Sequence, residues 1–219
     1  MVLDVSNIFF SRSLRLSIHV PPKCGTHTVI KSIAYCENNL DDITDNKVSH
    51  AMFKKYRECP NGWKTYEKIL LVRNPFARAL SMFSNKAHRA YIHLKNKKYL
   101  TYHDFKTFLN YARGCTDHHI RPIVTQIRSV DEYSNIFYLE DLDSFYSFLK
   151  SRATTDEQYK NLEKLHKDNT FMNASSSYEK YRGYLTLEAV NKILNLYALD
   201  FSTFKYSKDK KDIFEVPDR

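Results

Sequence analysis

Hydrophobic and polar residues alternate along residues 14–20. This period of two predicts a β-strand with one buried face. Pro21 and Pro22 follow the strand and end it, because neither can donate a backbone hydrogen bond. From Val29 onward the apolar residues recur at helical spacing, so we predict a helix that packs against the sheet.

A second strand–turn–helix unit begins at Glu67. Residues 69–72 form an uninterrupted apolar run, which is typical of a central parallel strand buried on both faces. Asn74 and Pro75 follow at once, and these residue types are favoured at the N-cap and at the first position of a helix. We expect this helix to have two faces. The apolar face contains Phe76, Leu80, Phe83 and Ala87, and the polar face contains Asn74, Arg78, Ser81, Asn85 and His88.

Residues 135–140 provide a third strand, and a helix with acidic residues in its first turn follows at residues 141–150. Strands that alternate with helices predict an α/β fold with a central parallel sheet flanked by helices. A length of 219 residues suits one domain with its own core. We therefore place a single domain over residues 1–206 and a charged C-terminal tail over residues 207–219, which we expect to fray.

The turn between the first strand and the first helix predicts an anion site. Such a turn directs free backbone N–H groups toward one point at the positive end of a helix dipole, and phosphate is the commonest ligand there. Gly25 permits a close turn, and Lys23 adds a positive charge. The spacing is not that of the nucleotide triphosphatases, because Lys23 precedes the glycine. An ordinary strand-to-helix turn with a stray lysine is the alternative interpretation.

The composition indicates the charge of the ligand and the cellular compartment. The net charge of +9 favours an anionic cofactor, substrate or surface, although it also suits plain solubility. No apolar run reaches the roughly 18 residues of a membrane span, and the N-terminus makes a poor signal peptide. The four cysteines show neither metal-site spacing nor a dense disulfide framework, so we expect a reducing, cytoplasmic setting.

Two motifs together resemble a known family. The PPKCGTHT turn resembles the 5′-phosphosulfate loop of sulfotransferases that use 3′-phosphoadenosine 5′-phosphosulfate (PAPS). The stretch VRNPFARALSMF resembles their 3′-phosphate motif, in which an arginine precedes a serine by eight residues, here Arg73 and Ser81. The second arginine, Arg78, resembles the carbohydrate (Golgi-type) branch more than the branch that acts on small molecules.

Three weaker motifs follow in the order that the family shows. Residues 119–122, HIRP, resemble the H-W-x-P element of carbohydrate sulfotransferases, with Ile120 in place of the aromatic residue. Residues 138–142, YLEDL, resemble the family's Y-x-E-D-L, and residues 197–206, YALDFSTFKY, resemble its terminal motif. The resemblance spans residues 14–206, and it implies a single P-loop-like catalytic domain with the sulfotransferase fold.

The resemblance also implies the site. PAPS would be the sulfuryl donor, adenosine 3′,5′-bisphosphate (PAP) the product, and no metal is expected. Lys23 would contact the leaving group, and His119 would be the catalytic base. His88 and His118 are alternatives for the base, and Glu140 is a more distant one. The expected cofactor-binding residues are Lys23, Cys24, Gly25, Thr26, His27, Thr28, Arg73 and Ser81.

The expected reaction is in-line transfer of a sulfuryl group to a hydroxyl of a carbohydrate or glycolipid, which would itself be anionic in some cases. The Golgi enzymes that the motifs resemble typically carry a membrane anchor. Because the sequence shows none and starts with Met1, we expect a soluble microbial or viral enzyme and not an excised Golgi luminal domain. Two alternatives from other classes are a P-loop-type kinase acting on a small substrate and a non-catalytic basic module that binds polyanions. The missing Walker spacing argues against the kinase. No recognisable nucleic-acid motif is present, so we expect no nucleic-acid partner.

Overall fold

The computed structural model describes residues 7–38, 43–44, 47–90, 99–169 and 176–217. These residues form two compact units. The first contains the described residues of Met1–Val72 and Ile127–Asn173, and the second contains those of Arg73–Gln126 and Ala174–Arg219. The sequence pattern gives no sign of this division, because one boundary falls between a strand and the helix that follows it directly.

All strands of the described residues lie in the first unit. They are β1 (Ile8–Ser11), β2 (Leu16–His19), β3 (Ile43–Thr44), β4 (Lys47–Val48), β5 (Glu67–Val72) and β6 (Asn135–Tyr138). The main sheet has the order β1-β2-β5-β6. β2, β5 and β6 are parallel, whereas β1 pairs antiparallel with β2 at the edge. The predicted α/β fold is confirmed. The sheet is mixed and not wholly parallel, because the edge strand β1, which the sequence did not predict, pairs antiparallel with its neighbour.

The strand β2 is shorter and more buried than its alternating pattern predicts. All four of its residues are buried, including the polar Ser17 and His19. His19 Nδ1 lies 2.6 Å from the hydroxyl of Tyr133, and the Ser17 hydroxyl bonds to the Glu67 carbonyl. The prediction of one solvent-exposed face is therefore wrong, because these polar side chains find partners inside the unit.

The helices of the described residues are α1 (Thr26–Cys36), α2 (His50–Arg57), α3 (Pro75–Ala90), α4 (Tyr102–Ala112), α5 (Leu142–Ser151), α6 (Asp156–Asn169), α7 (Ser176–Tyr181), α8 (Leu187–Leu196) and α9 (Ala198–Thr203). In the first unit, α1 packs on β1 and α6, and α5 packs on β6 and α6. In the second unit, α3 packs on α4, α7 and α8. Within the described residues, no helix is both long enough and apolar enough to cross a membrane.

Helix caps follow the sequence closely. Thr101 and Asp104 form a complete capping box at the start of α4, and Asp141 caps α5.

The C-terminal tail, which we expected to fray, instead packs against the rest of the second unit. Ile213 is buried, and Lys210 Nζ donates to the Leu185 carbonyl at 2.6 Å. The ring of Phe214 also packs against that of Tyr178, with centroids 4.7 Å apart, so apolar contacts anchor the segment among its charged residues.

Candidate active site

The turn between β2 and α1, in the first unit, has a strained backbone. Lys23 and Gly25 both adopt the left-handed region, with φ angles of 71° and 97°. That region costs a residue with a side chain roughly 1–2 kcal/mol, so the surrounding turn must hold Lys23 in place. Strained residues of this kind concentrate at sites where a ligand is held.

Only glycine fits at position 25. A Cβ atom there would lie 2.7 Å from Leu139 Cδ1 and 3.3 Å from Leu71 Cδ2. Because Leu71 belongs to β5 and Leu139 directly follows β6, Gly25 lies against the carboxyl ends of two parallel strands. The carboxyl edge of a parallel sheet is where α/β proteins bind their ligands.

The N-terminus of α1 offers free hydrogen-bond donors. Gly25 is its N-cap residue, no side chain among the described residues caps it, and its first turn contains no acid. The first intrahelical bond runs from the Val29 N–H to the Gly25 carbonyl. The amides of Thr26, His27 and Thr28 therefore precede the hydrogen-bond ladder and lie at the positive end of the helix dipole. An anion is the ligand that these groups fit.

Cys24 differs from its neighbours in the turn. Its side chain is fully buried, and its N–H donates to the Pro21 carbonyl at 3.1 Å. The residue thus shapes the turn from inside.

Basic residues gather at the start of α1. His27 and Lys31 are four residues apart on one side of the helix, and Lys23 precedes the helix in the turn. Burial lowers the pKa of His27, and the charges of Lys31 and Lys23 lower it further. Lys31 is only 5% exposed, and burial lowers the pKa of its ammonium group. A bound anion would relieve this concentration of positive charge.

The second unit begins at Arg73, the residue that follows β5 in the chain. Asn74 Oδ1 accepts a hydrogen bond of 2.9 Å from the Phe76 N–H, so the predicted helix start is confirmed. Arg73 is 7% exposed and Ser81 is 8% exposed. The first two turns of the polar face of α3 are therefore buried, with Asn74 and Arg78 both fully buried, whereas Asn85 further along is exposed.

Arg78 holds the segment that contains the HIRP motif. Its Nη2 donates to the carbonyls of His119 at 3.2 Å and Arg121 at 2.9 Å. Its Nη1 lies 3.8 Å from Asp200 Oδ2, and neither side chain of this pair is exposed to solvent. A guanidinium group suits this position because its N–H donors have a fixed geometry.

Asp200 and Tyr197 complete the same cluster from the C-terminal motif. The Asp200 carboxylate accepts the N–H groups of Ile123 at 2.8 Å and Val124 at 3.0 Å. The Tyr197 hydroxyl donates to the Ile120 carbonyl at 2.8 Å. Burial raises the pKa of Asp200, against the opposing effect of Arg78 and the two backbone N–H groups. These bonds fix a segment that has little regular secondary structure of its own.

His119 forms a pair with Asp117. Asp117 Oδ1 lies 2.8 Å from His119 Nδ1 and accepts the His119 N–H at the same distance. A carboxylate beside Nδ1 favours the tautomer with its proton there, so Nε2 keeps a lone pair. The ring of His118 is 4.0 Å from that of His119, but its Nδ1 is 3.7 Å from Asp117. Of the two rings, only that of His119 is therefore oriented by Asp117 through a hydrogen bond.

The same three residues could also hold a metal ion, since their ligand atoms lie within 4.8 Å of one another. All three are partly exposed, and groups of this kind are common without a metal.

The sequence profile of the sulfotransferase family matches residues 6–207. The chain belongs to the sulfotransferase family. Its members transfer a sulfuryl group from PAPS to a hydroxyl-bearing acceptor, so the family and the enzyme class predicted from the sequence are confirmed. Comparison with curated proteins and with solved structures gives no match to this chain.

The predicted site residues of the sulfotransferase fall in both units. The turn residues 23–28 belong to the first unit, and Arg73, Ser81 and His119 belong to the second. Glu140 lies in the turn after β6. The side chain of His88 lies outside the described part of the chain.

Sequence reasoning missed two side chains of the sulfotransferase that matter for its geometry. Asp117 orients His119, and the Asp-x-His spacing was the available signal. Arg78 was read only as part of a motif, and its contacts depend on a segment 41 residues further along the chain.

Proposed function

We propose that this sulfotransferase transfers a sulfuryl group from PAPS to a hydroxyl of a carbohydrate or glycolipid, with His119 as the base. The observation that carries the proposal is the uncapped N-terminus of α1 beside Lys23. It supports binding of the 5′-phosphosulfate end of PAPS, because three amides precede the hydrogen-bond ladder at the positive end of the helix dipole and Lys23 belongs to the same turn. Gly25 supports the shape of this turn, because its φ of 97° is a conformation that residues with a side chain rarely adopt.

The other end of PAPS carries the 3′-phosphate, which we assign to Arg73 and Ser81. Arg73 can contact a phosphate through two N–H groups at once. Ser81 lies two turns further along α3 and has a hydroxyl donor on the same buried face as Asn74 and Arg78. The family match runs through both units, which supports a single catalytic activity built on residues 1–206.

Each of three residues has its own role in the proposed transfer reaction. PAPS supplies the sulfuryl group and leaves as PAP. His119 Nε2 takes the proton of the acceptor hydroxyl, whose oxygen forms the new S–O bond. Lys23 stabilises the negative charge that appears on the 5′-phosphate oxygen as the old S–O bond breaks. Asp117 stabilises the positive charge that His119 acquires.

A carbohydrate acceptor follows from the branch that the motifs resemble. The HIRP segment, which resembles an element of the carbohydrate branch, is held in place by bonds from Arg78, Tyr197 and Asp200. A fixed position supports a functional role for this segment.

The test of the donor is thermal stability: PAP should raise the melting temperature, whereas ATP with magnesium should not. Stabilisation by ATP with magnesium alone would contradict the proposal.

Replacing Arg73 by alanine should weaken PAP binding by about 2–4 kcal/mol, since a charged partner of a buried phosphate is lost. Binding of adenosine 5′-phosphosulfate, which has no 3′-phosphate, should change far less. Isothermal titration calorimetry with both ligands measures the difference. Arg182→Ala is the matched control, because Arg182 is an exposed arginine of the same unit. Equal losses for both ligands in Arg73→Ala would remove Arg73 from this role.

A further inference from the structure

A groove with a volume of 610 Å³ lies at the C-terminal ends of α4 and α8, within the second unit. Its volume is within the range of about 300–1,000 Å³ that small-molecule sites occupy. None of the roles assigned above uses this groove. The lining residues are Leu109, Asn110, Arg113, Lys192, Asn195 and Leu196.

The polar side chains of the groove are available to a ligand. Across the described residues, no hydrogen bond or ion pair involves the side chains of Asn110, Arg113 or Asn195. Lys192 Nζ lies 2.9 Å from Glu188 Oε1, and its ammonium group has two more N–H donors. A ligand would therefore gain these bonds without breaking existing ones.

The charge of the groove favours an anion. Glu188 is already bound by two cations, Lys192 and Lys106, the latter at 2.8 Å. These hydrogen bonds lower the pKa of Glu188, so it stays ionised and is neutralised by its own partners. Arg113 adds a further positive charge with a planar set of donors that matches a carboxylate or a sulfate.

The remaining groups suit a sugar. A carboxamide both donates and accepts hydrogen bonds, as a sugar hydroxyl does, and Asn110 and Asn195 provide two of them. Leu196 is partly exposed and offers an apolar surface to the C–H face of a sugar ring, whereas Leu109 is only 3% exposed.

Residues on both sides of the groove are connected to the segment that contains the proposed base, one through the sequence and one through a hydrogen bond. Arg113 lies six residues before His119. Leu196 directly precedes Tyr197, whose hydroxyl bonds to the Ile120 carbonyl. An acceptor chain that places one hydroxyl at His119 would have further sugar units to bind nearby.

We propose that this groove is a subsite for an anionic oligosaccharide, in which Arg113 and Lys192 bind a carboxylate or sulfate of a sugar unit away from the reacting hydroxyl. The proposal deepens the proposed function and rests on its glycan acceptor. In this proposal, residues at the ends of α4 and α8 select anionic acceptors over neutral ones.

The probe is a chondroitin hexasaccharide, with its carboxyl-reduced, neutral form as the second ligand, titrated into the full chain by calorimetry. The wild type should bind the anionic form saturably and the neutral form at least tenfold more weakly. Arg113→Ala and Lys192→Ala should each weaken binding of the anionic form by about tenfold to a hundredfold. Lys208→Ala is the control, because Lys208 is an exposed lysine of the same unit. Asn195→Ala, which removes no charge, is a second variant for the groove.

Three results would overturn the proposal: no saturable binding by the wild type at millimolar concentration, unchanged binding in Arg113→Ala, or an equal loss in Lys208→Ala. The last would mean that general positive charge, and not the groove, attracts the oligosaccharide. PAP binding measured on the same preparations separates this outcome from failure of the proposed function, since the groove variants should bind PAP as the wild type does.

Discussion

Replacing His119 by alanine will lower the turnover number by about 100- to 10,000-fold, the usual contribution of a general base. His119 Nδ1 is held by Asp117 at 2.8 Å, so the ring presents Nε2 in a fixed direction. The affinity for PAP should stay nearly unchanged, because other residues are proposed to bind the phosphates. Steady-state kinetics together with PAP titration measure the two quantities separately.

His118→Ala is the matched control for this prediction. Its ring lies 4.0 Å from that of His119 and is tilted by 40° to it, but its Nδ1 is 3.7 Å from Asp117, beyond a hydrogen bond. The loss in turnover should therefore be much smaller. Asp117→Asn should fall between the two histidine variants. If His88→Ala abolishes transfer while His119→Ala stays active, the base lies on α3 and our assignment is wrong.

Replacing Arg78 by alanine will lower the free energy of unfolding by about 3–5 kcal/mol, the cost of breaking a buried ion pair from one side. The change leaves the buried Asp200 carboxylate without its cation. It also removes the donor to the His119 and Arg121 carbonyls. Urea unfolding followed by circular dichroism measures the loss.

The control for Arg78→Ala is Arg182→Ala, which removes an arginine from an exposed ion pair and should change stability little. A loss below about 1 kcal/mol for Arg78→Ala would mean that the buried cluster does not stabilise the HIRP segment. Turnover should also fall in any Arg78→Ala protein that stays folded, because the backbone of His119 is no longer held.

Local sequence patterns predicted the elements that local physics determines. The parallel strands β2, β5 and β6 follow from residue periodicity, and the cap at Asn74 follows from side-chain chemistry. The edge strand β1 was missed, because four residues near the N-terminus carry too little pattern. Helix α7 was missed as well, because its Ser- and Tyr-rich sequence is typical of a loop.

Within the candidate site, too, only the features formed by consecutive residues were predictable from the sequence. The turn at residues 23–28 was recognisable, since its glycine, lysine and flanking strand and helix are consecutive in the chain. The contacts of Arg78 with Asp200 and with the HIRP segment were not, because they join residues far apart in sequence. For the same reason the groove at α4 and α8 has no signature in either helix alone.

Transfer of labelled sulfate from PAPS, measured in the wild type and in Lys23→Ala, tests the central claim most directly. The wild type should release one PAP for each sulfate that appears on a hydroxyl of an oligosaccharide acceptor. Lys23→Ala should lower the turnover number at least as much as it raises the apparent KM for PAPS, because Lys23 stabilises the leaving group during transfer. A Lys23→Ala enzyme with the turnover number of the wild type would contradict the account.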